Sequence, residues 1–255
     1  MAENPSIETS EEEPLVRFRL KNPGKLNAIT QGMAEELITL LSKYGRDPRY
    51  RAILMGGSGG NYSSGADITA FSDKGPEEAL RFHQVLNEVV RSIRSCPKPV
   101  IAVLEGYSLG GGLEIAESAD IRIASESARI GQPEINIGIN AGAGGNVVLP
   151  DLVGRGMAMY LILTGRKISG PEAMRIGLVD LVFPADSVWK EAEKIAQEIA
   201  SKPPATVQAA KSLVNRSRDM SLDSALESEA SAFSMLFATQ ETRERIGKFL
   251  NREKT

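Results

Sequence analysis

Apolar and charged residues alternate through LVRFRL (15–20), as in a strand with one face buried, whereas AILMG (52–56) and VIAVL (100–104) are unbroken apolar runs closed by turn residues. The latter two predict strands covered on both faces. Between them, Phe82, Val85, Leu86, Val89, Val90 and Ile93 recur at helical intervals and mark one face of a helix beginning near Pro76. Strand, helix, strand over this length predicts a parallel pair joined by a crossover. DIRIAS (120–125) supplies a further strand after a short helix beginning near Gly111. From about residue 154 the pattern turns helical through RGMAMYLILTG, PEAMRIG and SVWKEAEKIAQEIASKPP, with Val188, Ala192, Ile195 and Ile199 forming one stripe. Residues 203–251 carry Val207, Leu213, Leu226, Phe233, Leu236, Phe237, Ile246, Phe249 and Leu250 with no strand nearby. So much apolar surface on terminal helices needs a partner, either the core or another subunit.

Composition narrows the class. A chain of 255 residues, 42% hydrophobic and 25% charged, suits one large α/β domain or a domain with an appendage. A net charge of −3 makes nucleic acid and acidic membranes poor default partners. The apolar runs fall short of the roughly 18 residues of a membrane span. The acidic N-terminal stretch lacks a signal-peptide apolar region, so a soluble cytoplasmic protein is expected. One cysteine, Cys96, and one histidine, His83, permit neither an internal disulfide nor an ordinary zinc site, and no metal is expected. Cys96, just before Pro97, reads as an inert buried thiol, and His83, at helical spacing, as a surface or packing residue.

GYSLGGGLE (106–114) carries two competing motifs. Gly106 to Gly110 fits the nucleophile elbow G-x-S-x-G, but in the fold that carries this elbow a histidine base follows the serine in chain order. None follows Ser108, so Ser108 is rejected as a nucleophile and acid–base work falls mainly to carboxylates, lysines or tyrosines. Gly110 to Gly112 alone would suit close packing or a tight turn, and Glu114, one turn into a helix, would suit a capping carboxylate. SSGADI (63–68), GQPEINIG (131–138) and NAGAGGN (140–146), the last expected to open another helix, add small-residue turns and a second glutamate, Glu134, in apolar company. Together they predict a concave site with backbone donors.

In NPGKLNAIT (22–30), SSGADI, KPVIAVLEGYSLGGGLEIAESADIRIAS (98–125), GQPEINIGINAGAGG (131–145), LTGRKISGPEAMRIGLVD (163–180) and FATQETRERIGKFL (237–250) the chain resembles the enoyl-CoA hydratase/isomerase (crotonase) family nearly end to end. The resemblance implies an α/β fold, a spiral of ββα units over 1–198 that carries the active site, and a helical C-terminal trimerisation region over 199–255. It implies a homotrimer or dimer of trimers acting on an acyl-CoA thioester, with no cofactor beyond the CoA that belongs to the substrate.

Carried over residue by residue, the oxyanion hole would be the backbone amides of Ala66 and Gly111. The catalytic pair would be Glu114, activating water, and Glu134, handling the α-proton. The CoA contacts would come from Lys25, Ala28, Ala66, Asp67 and Ile68, although Lys25 reads equally well as a solvated lysine. A free glutamate titrates near about 4.3, so burial must raise the proton-donating partner. The expected reaction is reversible syn hydration of a trans-2-enoyl-CoA to a 3-hydroxyacyl-CoA. The rivals are a Δ3,Δ2-enoyl-CoA isomerase, which would dispense with Glu114, and a non-catalytic binding protein of the same fold. The chain departs from the family pattern at Tyr62-Ser63-Ser64, Ala141, Asn146-Val147-Val148 and Arg245, positions that bear on acyl preference and subunit contacts.

Overall fold

A computed structural model of the chain describes residues 4–70, 73 and 75–252. In chain order the strands are β1 (Ser6–Glu12), β2 (Leu15–Lys21), β3 (Ala52–Gly57), β4 (Val100–Leu104), β5 (Tyr107–Leu109), β6 (Ile121–Ser125), β7 (Arg129–Gly131), β8 (Ile168–Ser169) and β9 (Leu181–Phe183). The helices are α1 (Gln31–Arg46), α2 (Pro76–Ser95), α3 (Gly110–Glu117), α4 (Leu149–Val153), α5 (Arg155–Thr164), α6 (Gly170–Arg175), α7 (Val188–Ala200), α8 (Pro204–Ser217), α9 (Leu222–Leu236) and α10 (Gln240–Arg252).

Six strands form a sheet in the order β1-β2-β3-β4-β6-β9, antiparallel only between β1 and β2. Its central strands are buried on both faces. Val16, Phe18, Ile53, Met55, Val100 and Ala102 face the layer of α1 and α2, while Leu15, Leu54, Ile101, Val103 and Ile123 meet Val188, Ala192 and Ala196 of α7. That double cover is why AILMG and VIAVL are continuous apolar runs. The α7 stripe falls where the spacing predicts it, with Ile195 and Ile199 at its edge.

A second, three-stranded sheet runs β5-β7-β8. The chain lays one strand in the large sheet, the next in the small one, then a helix or 3₁₀ turn: β4, β5, α3, followed by β6, β7 and the turn Glu134–Ile137. These are the ββα turns of the expected spiral. Because β5 and β7 are parallel with Leu109 opposite Gly131, the residues just beyond both strands, Gly110-Gly111 and Gln132 to Glu134, emerge side by side. Isolated bridges between Ile29 and Ala66 and between Ser63 and Ser108 bring the 63–68 segment to the same edge.

Several elements escape the hydrophobic pattern. β1 buries only Ile7 of its seven residues, so no alternation marks it. The strands of the small sheet are two or three residues long, too short for a period. α1 does carry a helical signal, a Thr30 cap bonded to Met33 N and buried Met33, Leu37, Leu41 and Tyr44. NAGAGGN does not open a helix: residues 140–148 are irregular, turning only over 145–148, and α4 starts at Leu149. No helix of the described residues is long and apolar enough to cross a membrane.

α8 and α9 bury no residue, and Leu222, Phe233 and Met235 are 74%, 64% and 73% exposed. α8 is tied to the spiral by polar contacts: Lys211 Nζ meets Asp120 Oδ2 at 2.7 Å and donates to the carbonyls of Ile93 and Lys98, both at 3.0 Å.

Candidate active site

The edge where β5, β7 and the 63–68 segment converge opens into a cavity of about 420 Å³ lined by Ala66, Gly111, Glu114, Glu134, Ile137 and Ile139 among others. Four of the residues singled out in the sequence therefore meet in one space. Ile29 N donates to Gly65 O and Asp67 N to Ile29 O, which commits the bonds on either side of residue 66. The Ala66 amide itself has no acceptor among the described residues. Gly111 is the second residue of α3, in the turn whose N–H groups have no intrahelical partner. A Cβ added at Gly111 would lie 3.2 Å from Ala66 N, so a side chain there would fill the gap between the two amides. Gly110 makes the corner from β5 into α3 at φ +49°, and a Cβ on it would come within 2.9 Å of Glu134 Oε1.

Glu114 is buried on α3 and its Oε1 accepts the N–H groups of Ala143 at 2.7 Å and Gly145 at 2.8 Å. The small residues of 141–145 thus wrap their amides around a carboxylate, which is what they do in place of starting a helix. Burial raises the Glu114 pKa, and the amides of Gly145, Ala143 and Gly142 work against that rise. Glu134 opens the 3₁₀ turn after Pro133, with both carboxyl oxygens buried and without a hydrogen-bond partner among the described residues. Burial, assisted by the negative charge of Glu114, pushes its pKa up to about 7. The two carboxyls share a cavity but not an environment. One is held by main-chain donors and the other is bare, the kind of difference that separates a base from an acid.

Of the remaining predicted contacts, Ile68 lines the cavity, while Lys25, Ala28 and Asp67 do not. Lys25 Nζ bonds Asp67 Oδ2 at 2.8 Å and Thr69 Oγ1 at 3.1 Å, with its side chain 47% exposed. Ala28 is buried behind that loop. Leu26 and Asn27, between them, both hold positive φ, 48° and 58°, a conformation that a leucine adopts only where its surroundings fix it. The Asn27 side chain supplies that fixing by donating to the carbonyls of Ser58 and Asn61 and accepting from Asn22 N.

His83, expected as a surface or packing residue, sets its ring edge-on to Phe82 and also lines the cavity on the α2 side, where burial lowers its pKa. Ser108 is buried and does not line the cavity. Cys96 is buried at the end of α2, which raises its thiol pKa. Among the described residues no group of His, Cys, Asp or Glu is arranged to hold a metal ion. A second cavity, about 510 Å³, adjoins the first through Glu134, Ile139 and Asn140 and is bounded by Met159, Ile162 and Leu163 of α5.

Sequence reasoning passed over one carboxyl. Glu117, three residues after Glu114 on α3, is fully enclosed and accepts a hydrogen bond from Gln132 Nε2 at 2.9 Å. The i, i+3 spacing of two glutamates within an otherwise apolar helix was the available signal.

Comparison with known proteins identifies the family of the chain. A model of the enoyl-CoA hydratase/isomerase family matches residues 10–255. The chain is 37% identical over 236 residues to a short-chain-enoyl-CoA hydratase of Clostridium acetobutylicum, covering 92% of this chain and 90% of that one. It is 37% identical over 250 residues to a crotonyl-CoA hydratase of Syntrophomonas wolfei, covering 98% and 96%. The crystal structure of an enoyl-CoA hydratase from Thermoplasma volcanium superposes with a TM-score of 0.90 at 46% identity, over 95% of this chain and 96% of that one.

Proposed function

The chain belongs to the enoyl-CoA hydratase/isomerase family, and from that premise we propose that its cavity adds water reversibly across the double bond of a trans-2-enoyl-CoA to give a 3-hydroxyacyl-CoA. The observation that carries the reading is the convergence of the Ala66 and Gly111 amides with Glu114 and Glu134 on one cavity. The thioester carbonyl oxygen lies between the two N–H groups, where each donor contributes about 3 kcal/mol once negative charge develops. Glu114, as carboxylate, takes a proton from water while the water oxygen bonds to C3. The π electrons move to the carbonyl oxygen, and the enolate then takes a proton at C2 from Glu134. Both carboxyls line one cavity, and the reading has them deliver oxygen and proton to the same face of the double bond, a syn addition. Only a water molecule and protons are exchanged, so the step requires no electron carrier.

The CoA end is assigned to the segments that carry Lys25, Ala28, Ala66, Asp67 and Ile68, of which Lys25 and Ile68 are exposed. The half-exposed Lys25 ammonium supports a phosphate contact, although Asp67 already shares its charge. The acyl chain is assigned to the adjoining cavity beyond Glu134, whose apolar wall on α5 suits a hydrocarbon tail. Residues 1–198 form the unit that holds the site, and residues 199–255 the unit through which copies of the chain associate as a homotrimer or dimer of trimers. The unburied apolar residues of α9 and α10 support that assignment.

Separate Glu114→Gln and Glu134→Gln variants test the reaction, with crotonyl-CoA hydration followed by loss of enoyl absorbance. Each is expected to lose about 10² to 10⁴ in kcat. Full rates in both would remove the mechanism. Loss only in Glu134→Gln, with 3-enoyl-CoA isomerisation intact in Glu114→Gln, would make the protein an isomerase.

A further inference from the structure

Behind the two glutamates of the proposed reaction lies a third carboxyl that the mechanism does not use. Glu117 is 2% exposed and Gln132 is 1% exposed, and the two side chains face each other. Gln132 Nε2 donates to Glu117 Oε1 at 2.9 Å. The other half of each group, Glu117 Oε2 and Gln132 Oε1, is buried without a partner among the described residues. Both orphans are acceptors if Glu117 is ionised, and no rotation of the amide cures that, because turning its oxygen towards Glu117 removes the existing bond. A protonated Glu117 supplies the one missing donor. Its O–H would then reach Gln132 Oε1 while Gln132 Nε2 continues to reach Glu117 Oε1, so that acid and amide close a ring of two antiparallel hydrogen bonds.

The charges around the pair favour the same state. Glu114 faces it from its own helix and Glu134 from the 3₁₀ turn. The nearby cation, Arg122 on β6, is engaged by Asp180 Oδ2 at 2.9 Å and by the carbonyls of Leu178 and Ala119. Burial with Glu114 as neighbour holds the Glu117 pKa well above the ordinary carboxylate range.

The pair also sits where it matters to the site. Gln132 lies two residues before Glu134, and a Cβ added at Gly145 would meet both Gln132 Nε2, at 2.8 Å, and Glu114 Oε1, at 3.1 Å. The amide of Gln132 therefore packs against the turn that grips Glu114.

We infer that Glu117 is a neutral carboxylic acid paired in both directions with Gln132, and that this pair is a positioning unit fixing the Glu134 segment against the Glu114 helix without adding a negative charge to the site. The kinetic part of the inference rests on the hydratase reading; the charge state of Glu117 does not.

Infrared difference spectra at pH 8 of the whole protein, wild type against Glu117→Gln, are expected to show a protonated-carboxyl C=O band that is lost in Glu117→Gln and retained in Glu134→Gln. Absence of that loss overturns the inference. In crotonyl-CoA hydration, Glu117→Leu orphans the Gln132 amide and is expected to lower kcat about tenfold with KM little changed. Glu117→Gln, whose amide can form the same two bonds, is expected to recover most of that loss and to keep both limbs of the pH profile within about 0.3 unit of wild type. If Glu117 is instead ionised, Glu117→Gln removes a negative charge and moves both limbs to lower pH, which rejects the inference, as does full kcat in Glu117→Leu. Should wild type hydrate no enoyl thioester, the hydratase reading fails, and the infrared comparison still decides the state of Glu117.

Discussion

Hydration of an enoyl thioester takes up no net proton, so its equilibrium does not vary with pH and kcat/KM must share one pH profile in both directions. On the proposed mechanism the active form of the glutamate pair accordingly holds a single proton, on Glu134 at the start of hydration and on Glu114 at the start of dehydration. With the Glu134 pKa pushed up to about 7, kcat/KM is expected to fall as pH rises through that value. A profile flat through the alkaline range would contradict this. The same shift acts on stability. Glu134 titrates higher in the folded chain than its ordinary 4.5, so the folded state binds more protons between the two values and loses stability as pH rises through 7. Glu134→Gln is therefore expected to stabilise the protein by about 1 to 3 kcal/mol at pH 8 and by little near pH 4. Urea melts at the two pH values check it, and equal gains at both would refute the desolvation argument. Gly111→Ala, by placing a methyl group between the two amides, is expected to lower kcat by about 10² with the fold intact. Wild-type turnover in that variant would remove Gly111 from the oxyanion hole.

At the level of the element, α8 depends on Lys211. Its ammonium has its hydrogen-bond donors committed to Asp120, Ile93 O and Lys98 O, and α8 has no buried residue to replace them. Lys211→Met, which leaves Asp120 without its cation, is expected to cost about 3 kcal/mol and to expose the segment after Ala200 to limited proteolysis. Unchanged cleavage would show that other contacts hold α8. What was legible in the sequence follows the same division between apolar and polar cohesion. The central strands, α2 and α7 declare themselves because burial imposes a period, as Leu86, Val89 and Ile93 do on α2. β1, β5, β7 and β8 are held by main-chain pairing that leaves little trace in side-chain type. The location of Ala66, Gly111, Glu114 and Glu134 came from resemblance in motif order. The partner of Glu117 could not be read that way, because Gln132 lies 15 positions on and reaches it only through the parallel register of β5 and β7.

Across the whole molecule, apolar exposure is concentrated late in the chain, where Leu222, Leu226, Phe233, Met235, Phe249 and Leu250 all face outward. Leu226→Asp with Phe233→Asp is expected to shift the protein to smaller species in light scattering after size exclusion, with the spiral still folded. An unchanged mass would place the subunit interface elsewhere. The outermost strand of the large sheet restricts how copies can meet. β1 presents Glu8, Glu11 and Glu12 along its length, and the opposite margin, β9, is three residues long. Neither border offers a second chain a clean template for strand addition, since carboxylates repel one and brevity disqualifies the other. On the proposed assembly, copies of this protein would meet through their terminal helices and not by lengthening the large sheet.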